Sequence, residues 1–101
     1  MFFTLQEGTS NKRYKAVFYD RTKKIKTVQF GDKNYDNFTI HKDEKRKELY
    51  KKRHHKDNIH DPMTAGALSW YLLWNKETLK ESIEDFEDKF GIIYVDKIYK
   101  W

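Results

Sequence analysis

The chain contains no cysteine in its 101 residues. Disulfide staples, cysteine-based zinc sites and a thiol nucleophile are thereby excluded. This fits a reducing compartment. Proline occurs once and glycine four times, so the composition is not that of a linker. Long apolar runs are also missing. The longest, Ala65 to Trp74, falls far short of the roughly 20 residues that a membrane-spanning helix needs. The start, MFFTLQEGTS, holds too brief an apolar run for a secretory signal. A soluble, intracellular protein without a membrane span is expected.

Charge and aromatic rings are plentiful. Charged residues make up 37% and aromatic residues 17% of the chain, and the mean hydropathy is −1.03. Such polarity on its own would point to disorder. The rings argue against it, because each buried ring removes a large apolar area from water. The length suits one domain, with a core that is small for its surface. Charge is placed unevenly. Lys42 to Lys56 carries eight basic and three acidic residues, and Lys12 to Lys26 carries seven basic residues with Asp20 as its one acid. Lys76 to Lys89 is the reverse, with six acidic and three basic residues. The chain is basic early and acidic in its last helix.

Strand periodicity dominates the first third. FFTLQ (2–6) reads as a short strand, and Glu7 to Asn11 as a turn. KRYKAVFYD (12–20) alternates cleanly, and KIKTVQF (24–30) alternates again before Gly31. These predict an antiparallel hairpin or meander, one face against a helix and the other wet. Residues 31–41 lack a period and read as a loop, with Tyr35, Phe38 and Ile40 tucked against the core. Asp43 suits an N-cap, with Glu44 in the first turn of a helix running to about Lys56. Its apolar stripe is only Leu49 and Tyr50. Asp61-Pro62 predicts the start of a second helix, DPMTAGALSWYLLW, with proline at the first helical position. Ala65, Leu68 and Leu72 form one stripe, and Trp70, Leu73 and Trp74 another. Its small first turns, Thr64 to Ala67, permit a close backbone approach. Thr78 and Glu81 have capping-box spacing. Leu79, Ile83, Phe86 and Phe90 then mark a third helix that Gly91 stops. Ile92 to Val95 predicts a last strand, and the tail Asp96 to Trp101 has no assignment. The expected fold is a single α+β domain, a small antiparallel sheet packed by two or three helices.

Several stretches in order carry a resemblance. They are AVFYD, KIKTVQFG, DNFTIHKDEKRKELYKKRH and DPMTAGALSWYLLWNKETLKESI. Together, over about residues 13–90, they resemble a small uncharacterised protein family of giant (nucleocytoplasmic large DNA) viruses. The most specific blocks are Thr39 to Asp43 with Arg53 and His54, and DPMTAGALS followed by LWNK and Thr78-Leu79. Glu77 stands where that family's pattern often has proline. The resemblance implies a viral protein made in an infected cell, placed in the virion or the virus factory, with other viral proteins as partners. It implies no activity.

No catalytic constellation stands out. His54, His55 and His60 lie near Asp57 and Asp61, but a metal needs three or four converging ligands with outer support. Solvated or capping roles are the simpler reading, and neither metal nor cofactor is expected. His41-Lys42-Asp43 are adjacent and point apart, so a phospholipase-type site is not expected. Ser69 lacks the flanking glycines of a nucleophile elbow. The acids Glu81, Glu84, Asp85, Glu87 and Asp88 read as the wet face of a helix. An enzyme is not expected.

The basic stripe is the strongest signal. Lys45, Arg46, Lys47, Lys51, Lys52, Arg53 and Lys56 cover one helix, and Lys12, Arg13 and Lys15 start the hairpin. Three readings stay open: a solubilising face with helix-supporting pairs such as Glu48 with Lys52, a sequence-nonspecific nucleic-acid surface, or a surface for an acidic protein. The aromatic run offers a separate candidate, Trp70, Tyr71 and Trp74 as protein-partner contacts. The leading expectation is a non-enzymatic structural or virion-associated component, such as a minor capsid protein, with nucleic-acid binding as the alternative. Oligomeric state is not legible.

Overall fold

Alternation in residues 12–32 builds one edge strand of a sheet and its inner neighbour. The computed structural model describes residues 1–96; the part of the tail from residue 97 to Trp101 lies outside them. Strands β1 (Phe2–Glu7), β2 (Lys12–Asp20) and β3 (Lys23–Asp32) form the antiparallel meander. A two-residue strand β4 (Ile93–Tyr94) completes the sheet in the order β3-β2-β1-β4. It runs parallel to β1, so the sheet is mixed rather than wholly antiparallel. The helix before it carries the chain back across the sheet, and β4 therefore enters in the direction of β1. The α+β architecture expected from the sequence is present.

One sheet face is the core. Phe3 lies opposite Phe18, Leu5 opposite Ala16, and Tyr14 opposite Phe30. Against them pack Leu68, Leu72, Leu73, Ile83, Phe86 and Ile92. Phe3 meets Phe18 at 5.7 Å and Phe86 edge-on at 5.2 Å, geometries that add to simple area burial. The other face is not fully wet. Phe2 and Tyr19 stack at 4.8 Å, and Val17 and Thr4 on that face are buried. The Phe2–Tyr19 and Gln6–Lys15 pairs flank them, and large cross-strand side chains shield such neighbours.

Four α-helices occur among the described residues. Helix α1 (Phe38–His41) occupies part of the stretch expected to be loop. Buried Asn37 caps it, accepting the Thr39 N–H at 3.0 Å. Phe38 is buried as expected, but Tyr35 and Ile40 are exposed. Helix α2 (Glu44–His54) is capped by Asp43, whose carboxylate accepts from the N–H groups of Lys45 and Arg46. It ends two residues before Lys56. Helix α3 (Ala65–Leu68) does not begin at Asp61-Pro62. The Asp61 carboxylate turns onto the Met63 N–H at 3.0 Å, an Asx turn, which the same residue pair favours as readily as a cap. Thr64 caps instead, taking the Ala67 N–H at 3.2 Å.

The helix then widens. Ser69–Leu73 forms a π turn, closed by the Trp74 N–H donating to the Ser69 carbonyl at 3.2 Å. The wider turn sends Leu72 and Leu73 into the core while Trp70 and Trp74 face α2. Helix α4 (Leu79–Phe90) follows from a Thr78 cap and ends at Gly91, whose φ is 68°. The capping box is half formed: the Glu81 N–H donates to Thr78, and the Glu81 carboxylate takes the Thr78 hydroxyl. No helix among the described residues is long and apolar enough to cross a membrane.

Candidate functional site

Helix α2 has almost no apolar face, so its seat depends on a few rings. Tyr50, its one buried side chain, lies flat on Trp74 at 4.4 Å and 3°. His54 stacks on Tyr50 at 4.3 Å, and His41 meets Trp74 at 5.3 Å. The four rings form a column running between α1, α2 and the π turn. Burial, with the nearby Asp57 charge adding and hydrogen bonding from Ser69 opposing, pushes the Tyr50 phenol up to about 12. Two lysines help to dock the helix. The Lys47 ammonium donates to the Asn75 carbonyl at 2.6 Å and lies over Phe38, and Lys51 lies over Trp70 at 5.3 Å. Burial, then repulsion from Lys47 and Lys76, lowers the Lys51 pKa.

Beside the column is a cleft of about 440 Å³. One wall is α2, through Arg46, Tyr50, Arg53 and His54, spaced so that all four share a face. The opposite wall is the start of β2, with Lys12 and Arg13, and the end of β3, with Gly31 and Asp32. The 32–37 loop adds Tyr35, Asp36 and Asn37, and the π turn adds Ser69, Leu73 and Trp74. Gly31 is the hinge of this arrangement. Its φ is 77°, and a Cβ there would stand 2.9 Å from Leu73 Cδ1 and 3.2 Å from Arg13 Cβ. Its missing side chain lets Leu73 of the π turn sit against the hairpin next to Arg13.

The cleft is electropositive. Four cations face two carboxylates in its lining. The ion pairs among the described residues are Lys33–Glu7 and His54–Asp57. Arg13, Arg46 and Arg53 therefore have no carboxylate within 4.0 Å among those residues. Arg13 is partly anchored, its Nη2 donating to the Tyr35 carbonyl at 3.0 Å. Its Nε is buried without an acceptor. His54 Nδ1 lies 2.9 Å from the Asp57 carboxylate, which fixes the ring at one end of the column. His41 Nδ1 accepts the Asp43 N–H at 2.9 Å. Burial first, then Arg46, lowers the His41 pKa, against smaller opposing effects of Asp43 and Asp36.

The candidates expected from the sequence separate in the structure. Lys12, Arg13, Arg46 and Arg53 meet in the cleft. Lys47 and Lys51 serve the docking of α2, Lys45, Lys52 and Lys56 are exposed outside the cleft lining, and Lys15 is half-buried on the far sheet face beside Gln6 and Gln29. Of the aromatic candidates, Tyr71 is buried against Phe90. Trp70 is half-buried beneath Lys51, and Trp74 is half-buried on Tyr50 while lining the cleft. As site residues, Tyr35 and Tyr50 are not singled out by the sequence, and His54 is weighed there only as a metal ligand. The spacing of Arg46, Tyr50, Arg53 and His54 is the signal that could have found the last two. No group of three His, Asp or Glu side chains placed to hold a metal occurs among the described residues.

The model of a family of unknown function (DUF5754) matches residues 6–54. The matched segment runs from β1 through α2 and contains both basic walls of the cleft; the π turn lies outside it. No curated protein and no solved structure matches the chain.

Proposed function

We propose that this domain binds nucleic acid without sequence preference, through the cleft between α2 and the start of the hairpin. One observation carries the reading. Two basic stretches far apart in sequence converge there, and they present three guanidiniums with no carboxylate within 4.0 Å among the described residues. Arginines left unpaired around a hollow suit phosphate, whose oxygens match the planar fork of the guanidinium. A merely solubilising face has no need to gather them. The other expectation, a virion-associated or minor capsid component, drew on apolar surface to spare. Tyr71 packs in the core and Trp70 and Trp74 pack against α2, so that support is reduced, and no particular surface favours the structural role.

The test is fluorescence anisotropy with labelled single-stranded and duplex oligonucleotides at about 50 mM salt, where phosphate contacts are weakly screened. Binding is expected, and Arg46→Glu with Arg53→Glu should abolish it. Both residues are exposed, so the fold should persist, as circular dichroism would check. Absence of binding by the unaltered protein at this salt overturns the proposal, and so does undiminished binding by the double variant.

A further inference from the structure

Resting on the nucleic-acid reading above, we infer that the cleft seats one unpaired nucleotide of a single strand, its phosphate on Arg13, Arg46 and Arg53 and its base against Tyr35. The first support is shape. The hollow has a volume of about 440 Å³, within the range of small-molecule sites. A duplex keeps its bases stacked inside a wide rod and cannot insert one there without unpairing and flipping it out. A single strand can splay a base at little cost, and exposed π-faces then receive it.

The second support is the state of Arg13. Its Nη2 is held by the Tyr35 carbonyl, so the guanidinium is oriented before any ligand arrives. Its Nε donor is buried and unpaired. Arg13 lines the cleft, so a phosphate seated there meets a guanidinium whose orientation is already set. The same hydrogen bond ties the anion-binding group to the loop that carries Tyr35. That ring stands at the rim with 71% of its residue surface exposed, while the other aromatic lining, Tyr50 and Trp74, is already stacked ring on ring.

The third support concerns which polyanion fits. Asp32 and Asp36 also line the hollow. They would repel an acidic peptide that filled the site. A base instead presents amino donors that a carboxylate can accept. A nucleotide, with negative charge at one end and hydrogen-bond donors at the other, suits a lining of both signs better than a run of glutamates does.

Titrations at one low salt concentration test this. The probes are a mixed-sequence single strand, the same sequence as a duplex, and poly-glutamate; both oligonucleotides are also titrated against Tyr35→Ala, and the single strand against Tyr35→Phe. The single strand is expected to bind about tenfold or more tightly than the duplex. Tyr35→Ala should weaken single-strand binding about tenfold, the loss of one stacked base, and leave duplex binding unchanged. Tyr35→Phe should restore the affinity. Equal binding of both oligonucleotides with a silent Tyr35→Ala overturns the seated nucleotide and leaves the broader reading standing. Poly-glutamate bound as tightly as the single strand assigns the cleft to an acidic protein instead. Failure to bind either oligonucleotide overturns both.

Discussion

Gly31 and Gly91 both hold a positive φ, 77° and 68°, yet they answer different needs. At Gly91 nothing lies within 4 Å of a would-be Cβ, so alanine there meets only the left-handed backbone penalty, about 1 kcal/mol. At Gly31 the same penalty adds to a 2.9 Å approach to Leu73 Cδ1. Gly31→Ala should therefore cost clearly more, about 2 to 3 kcal/mol if Leu73 must shift within the core. Urea denaturation of the two variants checks the order, and equal costs would show that the π turn does not need this contact. His41 gives a pH dependence whose sign can be worked out. Its Nδ1 accepts the Asp43 N–H, so the neutral ring carries its proton on Nε2. Burial and Arg46 hold its pKa below the ordinary 6.5. The unfolded chain thus takes up the proton first, and the stability the neutral ring supports is present above 6.5 and lost as pH falls below it. Between about pH 7.5 and about pH 5.5, where histidines titrate, the denaturation midpoint should fall. The fall should be smaller in His41→Asn, whose side-chain oxygen can still accept the Asp43 N–H. An unchanged slope in that variant would assign the effect to the other histidines.

The elements differ in how far their own residues determine them, and this decides what was legible. Strand β2 has the bounds read from its alternation, Lys12 to Asp20. Helix α4 was legible because cap, period and stop agree within it, from Thr78 through Ile83 and Phe86 to Gly91. Helix α1 has four residues and no room for a period. The π turn has a helical sequence whose last turn is widened where Trp70 and Trp74 pack against Tyr50 of another helix, a matter of tertiary contact. Asp61-Pro62 is a true turn signal, but the Asp61 carboxylate closes an Asx turn instead of capping a helix. The cleft's charges could be read residue by residue, but their convergence could not, because it depends on Gly31 admitting Leu73. Helix α2 is the extreme case. With Tyr50 as its one buried side chain, it holds through its cap, its rings and two lysines. Asp43→Ala should cost about 1 kcal/mol. Tyr50→Ala should cost about 3 kcal/mol or more and release α2 from the column. Hydrogen exchange should then show residues 44–54 losing protection while β1 to β3 keep theirs. Retained protection in α2 would mean that Lys47 and Lys51 suffice to dock it.

Over the whole molecule the question is whether the net charge of +5 acts diffusely or through one place. The acidic helix contributes no residue to the cleft lining, and two of its carboxylates are held by internal hydrogen bonds. Asp85 accepts the Asn75 amide at 2.7 Å, and Glu87 accepts the Tyr94 N–H at 2.9 Å. The Asn75 carbonyl in turn receives Lys47, so Asp85 supports the seat of the basic helix while Glu87 holds β4. If binding resides in the cleft, Lys12, Arg13, Arg46 and Arg53 set the salt dependence. On a single strand each neutralised phosphate contributes about −0.7 to the slope of log K against log salt concentration. Neutralising Arg46 and Arg53 to glutamine should flatten the slope by about 0.7, because the seated phosphate then keeps one of its three guanidiniums. Neutralising Lys45 and Lys52, which carry the same charge on the same helix but lie outside the cleft, should leave the slope nearly unchanged. Anisotropy titrations across salt for the two double variants provide the comparison. Equal flattening would show that the basic helix acts as a uniform cationic surface, and that the cleft has no privileged part in holding phosphate.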